Sequence, residues 1–142
     1  MTARNILIVD SSVTVRKLVS LTLKFKGYNV TTKDNEKDTW EALQKEQFDM
    51  VIIDILMPEK DGFELLSKIK TNDKLRSIPC VALTVEGDEE GRQKANELGA
   101  DSYMLKPFLP QELIAKVGEF ASGGEICFRK SPMIASQEMQ KV

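Results

Sequence analysis

Polar side chains with the chemistry of a phosphate site stand where hydrophobic runs of the sequence end: Asp10, Asp54, Thr84 and Lys106. The carboxyl ends of parallel strands meet at one edge of a sheet, so these side chains should lie together if each run is a strand. Two carboxylates offer oxygen ligands to Mg²⁺, and the lysine and the hydroxyl suit phosphoryl oxygens. A carboxylate in such a site can itself accept the phosphoryl group as an acyl phosphate.

The hydrophobic runs alternate with amphipathic stretches along the chain. The strand candidates are residues 6–10, 29–32, 50–54, 80–84 and 102–105. MVIID (50–54) and CVALT (80–84) are almost wholly apolar, which is typical of strands buried between two helical layers. The pattern predicts an α/β fold, a doubly wound (βα)₅ sandwich with a five-stranded parallel sheet.

Five helical patterns fill the gaps between these strands. The first stops at Gly27, and its predicted apolar face consists of Val15, Leu18, Val19, Thr22 and Phe25. The fourth is polar, covers about residues 88–98 and ends before Gly99. Pro110 suits the first turn of the fifth helix.

The composition is that of an ordinary soluble globular domain. The chain has 142 residues, of which 30% are charged and 42% apolar, and a net charge of −2. It contains no histidine, which excludes imidazole acid–base chemistry and histidine zinc ligands. The charge balance provides no broad basic surface, so we expect no direct nucleic-acid binding.

The domain is predicted to cover residues 1–121, with 122–142 as a C-terminal extension or linker, because ASGGE (121–125) is typical of a flexible connector. Cys80 and Cys127 are far apart and lack CxxC spacing, which favours a reducing, cytoplasmic environment. No leader pattern and no long apolar run indicates secretion or a membrane span.

The motifs at three strand ends resemble those of the response-regulator receiver domain of two-component signalling, in particular its stand-alone chemotaxis type. VIIDILMPEKDG (51–62) resembles the phosphoacceptor segment, ALT (82–84) the switch-threonine segment and LKPF (105–108) the phosphate-binding segment. The resemblance extends over about residues 4–121. It implies a flavodoxin-like sheet of strand order 2-1-3-4-5.

The resemblance also implies a role for each motif residue. Asp54 is the expected phosphoacceptor, Thr84 and Lys106 assist the transfer, and Thr84 and Tyr103 form the conformational switch. The bond before Pro107 is the family's cis peptide, which directs the lysine. Leu56 and Glu86 lie at positions that tune hydrolysis in the family.

Mg²⁺ is the implied cofactor, and its expected ligands are Asp10, Asp54, the Leu56 carbonyl and, more weakly, Ser11. Ser11 departs from the family, which has a second acid there. Two unit charges ~4 Å apart interact by roughly 4 kcal/mol at an effective dielectric of ~20, so this serine should weaken metal binding. Val85 is the second departure, because the family prefers a small residue beside the threonine.

The implied partners are a sensor histidine kinase or phosphotransfer protein and a downstream protein target contacted through residues 87–121. We expect a monomer or a weak dimer through that face, and no enzyme activity beyond the domain's own phosphoryl transfer and dephosphorylation. The alternative is a pseudo-receiver that binds partners without phosphorylation, as Ser11 and Val85 suggest. A flavin carrier or small enzyme is disfavoured, because no GxGxxG or GxxxxGK[ST] loop is present.

Simpler interpretations of single residues stay open. Asp10 could cap the first helix, and Ser11 and Ser12 are also good capping residues. Tyr103 could merely pack in its strand, and Asp61–Gly62 is most simply a turn before the third helix.

Overall fold

The computed structural model describes residues 5–121, so the predicted extension 122–142 lies outside the described residues. The strands are β1 Asn5–Val9, β2 Asn29–Lys33, β3 Met50–Asp54, β4 Cys80–Val85 and β5 Ser102–Lys106. The helices are α1 Val13–Phe25, α2 Glu36–Lys45, α3 Asp61–Lys70, α4 Glu89–Glu97 and α5 Pro110–Ala121. None of the helices within 5–121 is long and apolar enough to cross a membrane.

The strands form one parallel sheet in the order β2-β1-β3-β4-β5. This confirms the predicted doubly wound fold and its strand order. No boundary differs by more than one residue: β1 ends at Val9, so Asp10 follows the strand, whereas β4 and β5 continue through Val85 and Lys106. The ends of β1, β3 and β5 nevertheless meet at one edge of the sheet.

Successive residues of the central strands face two different helical layers. Ile6 and Ile8 of β1 pack with α1 and α5, while Leu7 and Val9 pack with α2 and α3 on the other face. All four side chains are at most 1% exposed. Both faces of the inner strands β1, β3 and β4 are therefore buried, which explains why these strands are largely apolar.

The predicted apolar face of α1 is wrong at its last position. Val19 and Leu23 are buried, but Phe25 is 88% exposed. Phe25 comes two residues after Leu23, which is about 200° around the helix axis and so on the opposite face. Gly27, with φ +96°, then ends the helix as expected.

Helix α4 is held to the domain with little apolar packing. Ala95 is its single buried residue. Its first turn begins at Asp88, whose carboxylate accepts the backbone N–H of Gly91 at 3.0 Å. Polar contacts at Asp88 therefore help to position α4, in place of extensive apolar packing.

Candidate functional site

Two carboxylates and one lysine meet at the carboxyl edge of β1, β3 and β5. Asp10 and Asp54 are 0% and 2% exposed. The Lys106 ammonium Nζ lies 3.0 Å from Oδ2 of Asp10 and 3.5 Å from Oδ2 of Asp54. One cation thus bridges two buried anions that come from strands far apart in the sequence.

The backbone orients both carboxylates in the same way. The N–H of Ser12 donates to Oδ1 of Asp10, and the N–H of Leu56 donates to Oδ1 of Asp54, each at 2.8 Å. In both cases the donor lies two residues after the acid. The Oδ1 atoms are therefore occupied by local hydrogen bonds, and the Oδ2 atoms face the lysine.

The capping interpretation of Asp10 is wrong. The N-cap of α1 is Ser12, whose hydroxyl accepts the N–H of Val15 at 3.2 Å. Ser11 is exposed. Asp10 therefore does not cap α1 and pairs with Lys106. The next residue, Ser11, lies at the surface and offers a hydroxyl instead of a carboxylate.

The environment of Asp54 disfavours its negative charge. Burial raises the pKa of its carboxyl above the ordinary value, and the N–H of Leu56 opposes this rise by donating to the charged form. The neighbouring Asp10 raises the pKa further, and Lys106 lowers it. A second cation at the Oδ2 atoms would relieve the remaining repulsion.

The donor set fits Mg²⁺, which prefers carboxylate oxygens. Oδ2 of Asp10 and of Asp54 already share one cation, the lysine. Within residues 5–121 the group of three mutually close carboxylates lies elsewhere, at Glu36, Asp61 and Glu64. That group is partly exposed and Glu36 is paired with Lys68 at 2.9 Å, so it has the character of a charged surface.

The predicted switch residues do not join this cluster. Thr84 is fully buried, and its hydroxyl donates to Oδ2 of Asp88 at 2.7 Å. Tyr103 is 42% exposed, and the Arg92 guanidinium lies 5.0 Å from its ring centroid. The peptide bond between Lys106 and Pro107 is cis. The structure therefore assembles the acids with the lysine and holds Thr84 in another hydrogen bond.

A sequence model of the response regulator receiver domain matches residues 6–118. The chain belongs to the response regulator receiver family. It resembles the transcriptional regulatory protein GltR of Pseudomonas aeruginosa, with 37% identity over 114 residues that make up 80% of this chain and 47% of GltR. The chain therefore spans about half the length of that relative.

Solved receivers have the same fold. The chemotaxis response regulator CheY4 of Vibrio cholerae is 32% identical with a TM-score of 0.77, and the match covers 82% of this chain and 98% of CheY4. The BeF₃-activated DrrB receiver domain is 30% identical with a TM-score of 0.76, covering 85% of this chain and 99% of DrrB. This chain is thus a receiver domain of two-component signalling.

Gly62 is a residue of this receiver whose importance the sequence interpretation missed. It lies inside α3 and not in a turn, and it is buried. A Cβ at this position would lie 2.3 Å from the Asp54 carbonyl oxygen and 2.7 Å from Cα of Ile55. Only glycine lets α3 approach the backbone of Asp54 so closely. The available signal was a glycine within a helical pattern, which often has a packing reason.

Arg16 is the second residue that was missed. Its Nη1 donates to the backbone carbonyl of Asp10 at 2.7 Å, from the first turns of α1. This bond fixes the turn that carries Asp10 and Ser11. The side chains of Leu56, at a position expected to tune hydrolysis, and of Val85, the second departure from the family pattern, are 46% and 38% exposed.

Proposed function

We propose that Asp54 accepts a phosphoryl group from a phosphohistidine of a sensor histidine kinase or phosphotransfer protein. The observation that carries the proposal is the bridge from Lys106 to the Oδ2 atoms of Asp10 and Asp54. It places a positive charge beside Oδ2 of Asp54, which no backbone N–H within residues 5–121 contacts, whereas Oδ1 accepts the N–H of Leu56. Oδ2 is the natural nucleophile.

In the transfer, Oδ2 of Asp54 attacks phosphorus, a P–O bond forms and the P–N bond to the donor imidazole breaks. The imidazole leaves with the electrons of the broken bond, and Asp54 becomes an acyl phosphate. Lys106 would neutralise charge on the phosphoryl oxygens, and the hydroxyl of Thr84 would donate to one of them. Later attack by water releases inorganic phosphate and restores the carboxylate.

Asp10, Asp54, the Leu56 carbonyl and Ser11 would hold Mg²⁺. The bound ion would supply further positive charge to the phosphoryl oxygens. The chain's own part is to keep both acids dry and oriented, through burial and the N–H groups of Ser12 and Leu56. Desolvation strengthens every charge interaction at the site.

The phosphorylated domain would signal by binding a downstream protein through residues 87–121, as a monomer or a weak dimer. It would act as a signalling module in the cytoplasm beside its kinase, without nucleic-acid or membrane contact. Its only catalysis would be its own phosphorylation and dephosphorylation. The exposed apolar side chains on this face, Tyr103, Leu105 and Leu109, support a protein partner.

The test is direct phosphorylation by a small donor. The protein is incubated with phosphoramidate or acetyl phosphate and Mg²⁺, and its intact mass is measured. We expect one phosphoryl adduct on the wild type and none on the Asp54→Asn variant. An unmodified wild type, or an adduct that persists in the variant, would contradict the proposal.

A phosphorylation-independent pseudo-receiver is the second candidate. It is favoured by Ser11, which offers no carboxylate at the metal position, and by Val85, which is 38% exposed beside Thr84. The Ser11→Asp variant separates the two functions. If the wild type functions as a phosphoacceptor, this variant should bind Mg²⁺ about tenfold more tightly, by titration calorimetry, and phosphorylate at lower Mg²⁺. If the variant gains an adduct that the wild type lacks under every condition, the chain is a pseudo-receiver.

A further inference from the structure

The first turn of α4 contacts both predicted switch residues. Asp88, its N-cap, accepts the hydroxyl hydrogen of Thr84 at 2.7 Å, and Arg92 covers the ring of Tyr103. The backbone N–H of Arg92 donates to the Asp88 carbonyl at 3.0 Å. The two side-chain contacts therefore belong to a single helical turn and should change together.

The two carboxylate oxygens of Asp88 have separate partners. Oδ1 accepts the N–H of Gly91, which caps the helix, and Oδ2 accepts the hydroxyl of Thr84. A threonine hydroxyl has one hydrogen to donate. While Thr84 donates to Asp88, it has no hydrogen for a phosphoryl oxygen on Asp54.

Gly91 makes room for this arrangement. A Cβ at position 91 would lie 2.2 Å from Oδ2 of Asp88, the oxygen that Thr84 uses. Glycine in a helix costs roughly 0.5–1 kcal/mol relative to alanine, so its presence here is not explained by helix propensity. It permits the carboxylate to stand between the helix and Thr84.

Little apolar packing opposes a movement of this turn. Ala95 is the buried residue of α4, and it lies beyond the first turn. Segments with few buried apolar contacts rearrange at low free-energy cost. The Asp88 and Arg92 contacts are thus a principal restraint on the first turn of α4.

We propose that Asp88 is a positioning residue that withholds the Thr84 hydroxyl from the phosphoacceptor until Asp54 carries a phosphoryl group. The phosphoryl group competes with Asp88 for that hydroxyl. When it succeeds, Asp88 loses a partner, and the turn that also carries Arg92 is released from β4 and from Tyr103. This inference rests on the proposed phosphorylation of Asp54, and no bond beyond those of that transfer is made or broken.

The Asp88→Asn variant removes the acceptor for Thr84 and keeps the cap. Asparagine caps helices as well as aspartate, and its amide oxygen can still accept the Gly91 N–H while its NH₂ group faces Thr84. We expect phosphorylation by phosphoramidate, followed by intact mass, to be about five- to tenfold faster than in the wild type. Gly91→Ala should also accelerate it, because the new Cβ displaces the Asp88 carboxylate. Glu90→Gln removes a charge from the same turn without touching Thr84, and should react at the wild-type rate.

Repeating the Asp88→Asn substitution in a Thr84→Val variant tests whether Asp88 acts through the Thr84 hydroxyl. Asp88→Asn should give no acceleration there. A double-mutant cycle on urea unfolding of the same four proteins measures the Thr84–Asp88 coupling without any phosphorylation. We expect the two substitutions to be non-additive.

The outcomes separate this inference from the proposed function. Additive unfolding effects, or an Asp88→Asn rate equal to that of a wild type that is phosphorylated, would overturn the role of Asp88 alone. An adduct on Asp88→Asn but not on the wild type would support the effect of Asp88 on Thr84 and would contradict the phosphoacceptor function of the wild type. If neither protein gains an adduct, the phosphoacceptor function fails and the inference fails with it.

Discussion

The two halves of the candidate functional site are built differently. On one side, the ends of β1, β3 and β5 bring Asp10, Asp54 and Lys106 into a buried cluster with direct contacts. On the other, β4 and the first turn of α4 hold Thr84 in a hydrogen bond to Asp88, on a helix with one buried residue. The first, rigid half is supported by the core of the sheet. The second, loose half is held by a few polar contacts.

This difference suggests how a small modification can have a large readout. In the proposed transfer, a preassembled charge cluster needs no rearrangement when the phosphoryl group reaches Asp54. A weakly packed helix turn can change position at a free-energy cost comparable to that of a few hydrogen bonds. Chemistry should therefore depend on the rigid half and signalling on the loose half, and substitutions can test each half by itself.

The largest effect is expected from Lys106→Met, which leaves two buried carboxylates without their cation. Removing one partner of a buried ion pair typically costs 3–5 kcal/mol, so we expect the free energy of unfolding to fall by about 3 kcal/mol at neutral pH. Urea unfolding measures the loss. Adding Asp54→Asn to the variant should restore part of it, because one of the two unpaired charges is then gone. A loss below about 1 kcal/mol would show that the cluster is not maintained by the lysine.

Gly62→Ala should break the rigid half through its backbone. The new Cβ would lie 2.3 Å from the Asp54 carbonyl oxygen, so α3 or the end of β3 must move. Overpacking of this kind costs roughly 1–3 kcal/mol, and phosphorylation of Asp54 should slow as well. Gly118→Ala is the matched control, because a Cβ there meets nothing within 4 Å. Equal stability of the two variants in urea would contradict the close approach.

The sequence predicted the rigid half better than the loose half. Asp10, Asp54 and Lys106 could be brought together by counting strands, because every parallel strand end comes to one edge. That inference needs only the backbone pattern. The (βα)₅ fold followed from the same periodicity, whereas the strand order was implied by the resemblance of the motifs to receiver domains.

The features that escaped prediction depend on distances between side chains. The choice of Asp88 as partner of Thr84 is decided by a rotamer and by the room that Gly91 leaves. The need for Gly62 is set by how closely α3 approaches β3, which no spacing in the sequence reports. Phe25 is a different case, because its offset of about 200° from the buried Leu23 can be counted along the helix from the sequence.

A smaller effect is expected from Asp54→Asn on stability. Burial chiefly raises the pKa of Asp54 in the folded state above 3.8, so the folded protein holds this proton more tightly than the unfolded chain does. Stability from this group is present below the unfolded pKa and declines as the pH rises through the folded pKa. At pH 7 the charged Asp54 is therefore a net cost, and Asp54→Asn should raise Tm by about 3 °C.

Scanning calorimetry from pH 3 to pH 8 measures this difference. The gain of Asp54→Asn should shrink as the pH falls toward 3, because below the unfolded pKa of 3.8 the wild-type carboxyl is largely protonated in both states. A gain that is constant across this range, or a loss at pH 7, would show that Lys106 and the N–H of Leu56 outweigh the burial of the charge.

Arg92→Gln is expected to have the smallest effect, and it probes the loose half alone. A partly exposed cation–π contact contributes about 0.5–1 kcal/mol, so urea stability should change little. The ring of Tyr103 should nevertheless lose its cover, which fluorotyrosine NMR detects as a shifted and narrowed Tyr103 resonance. Tyr28, packed against the α1 side of the core, serves as the internal reference. Lys94 lies on the same helix as Arg92, and its Nζ is 4.6 Å from the centroid of the Phe63 ring of α3. Lys94→Gln removes this cation and should leave the Tyr103 resonance unchanged. A Tyr103 resonance that shifts equally in both variants would mean that α4 responds as a whole, and that its first turn is not an independent restraint.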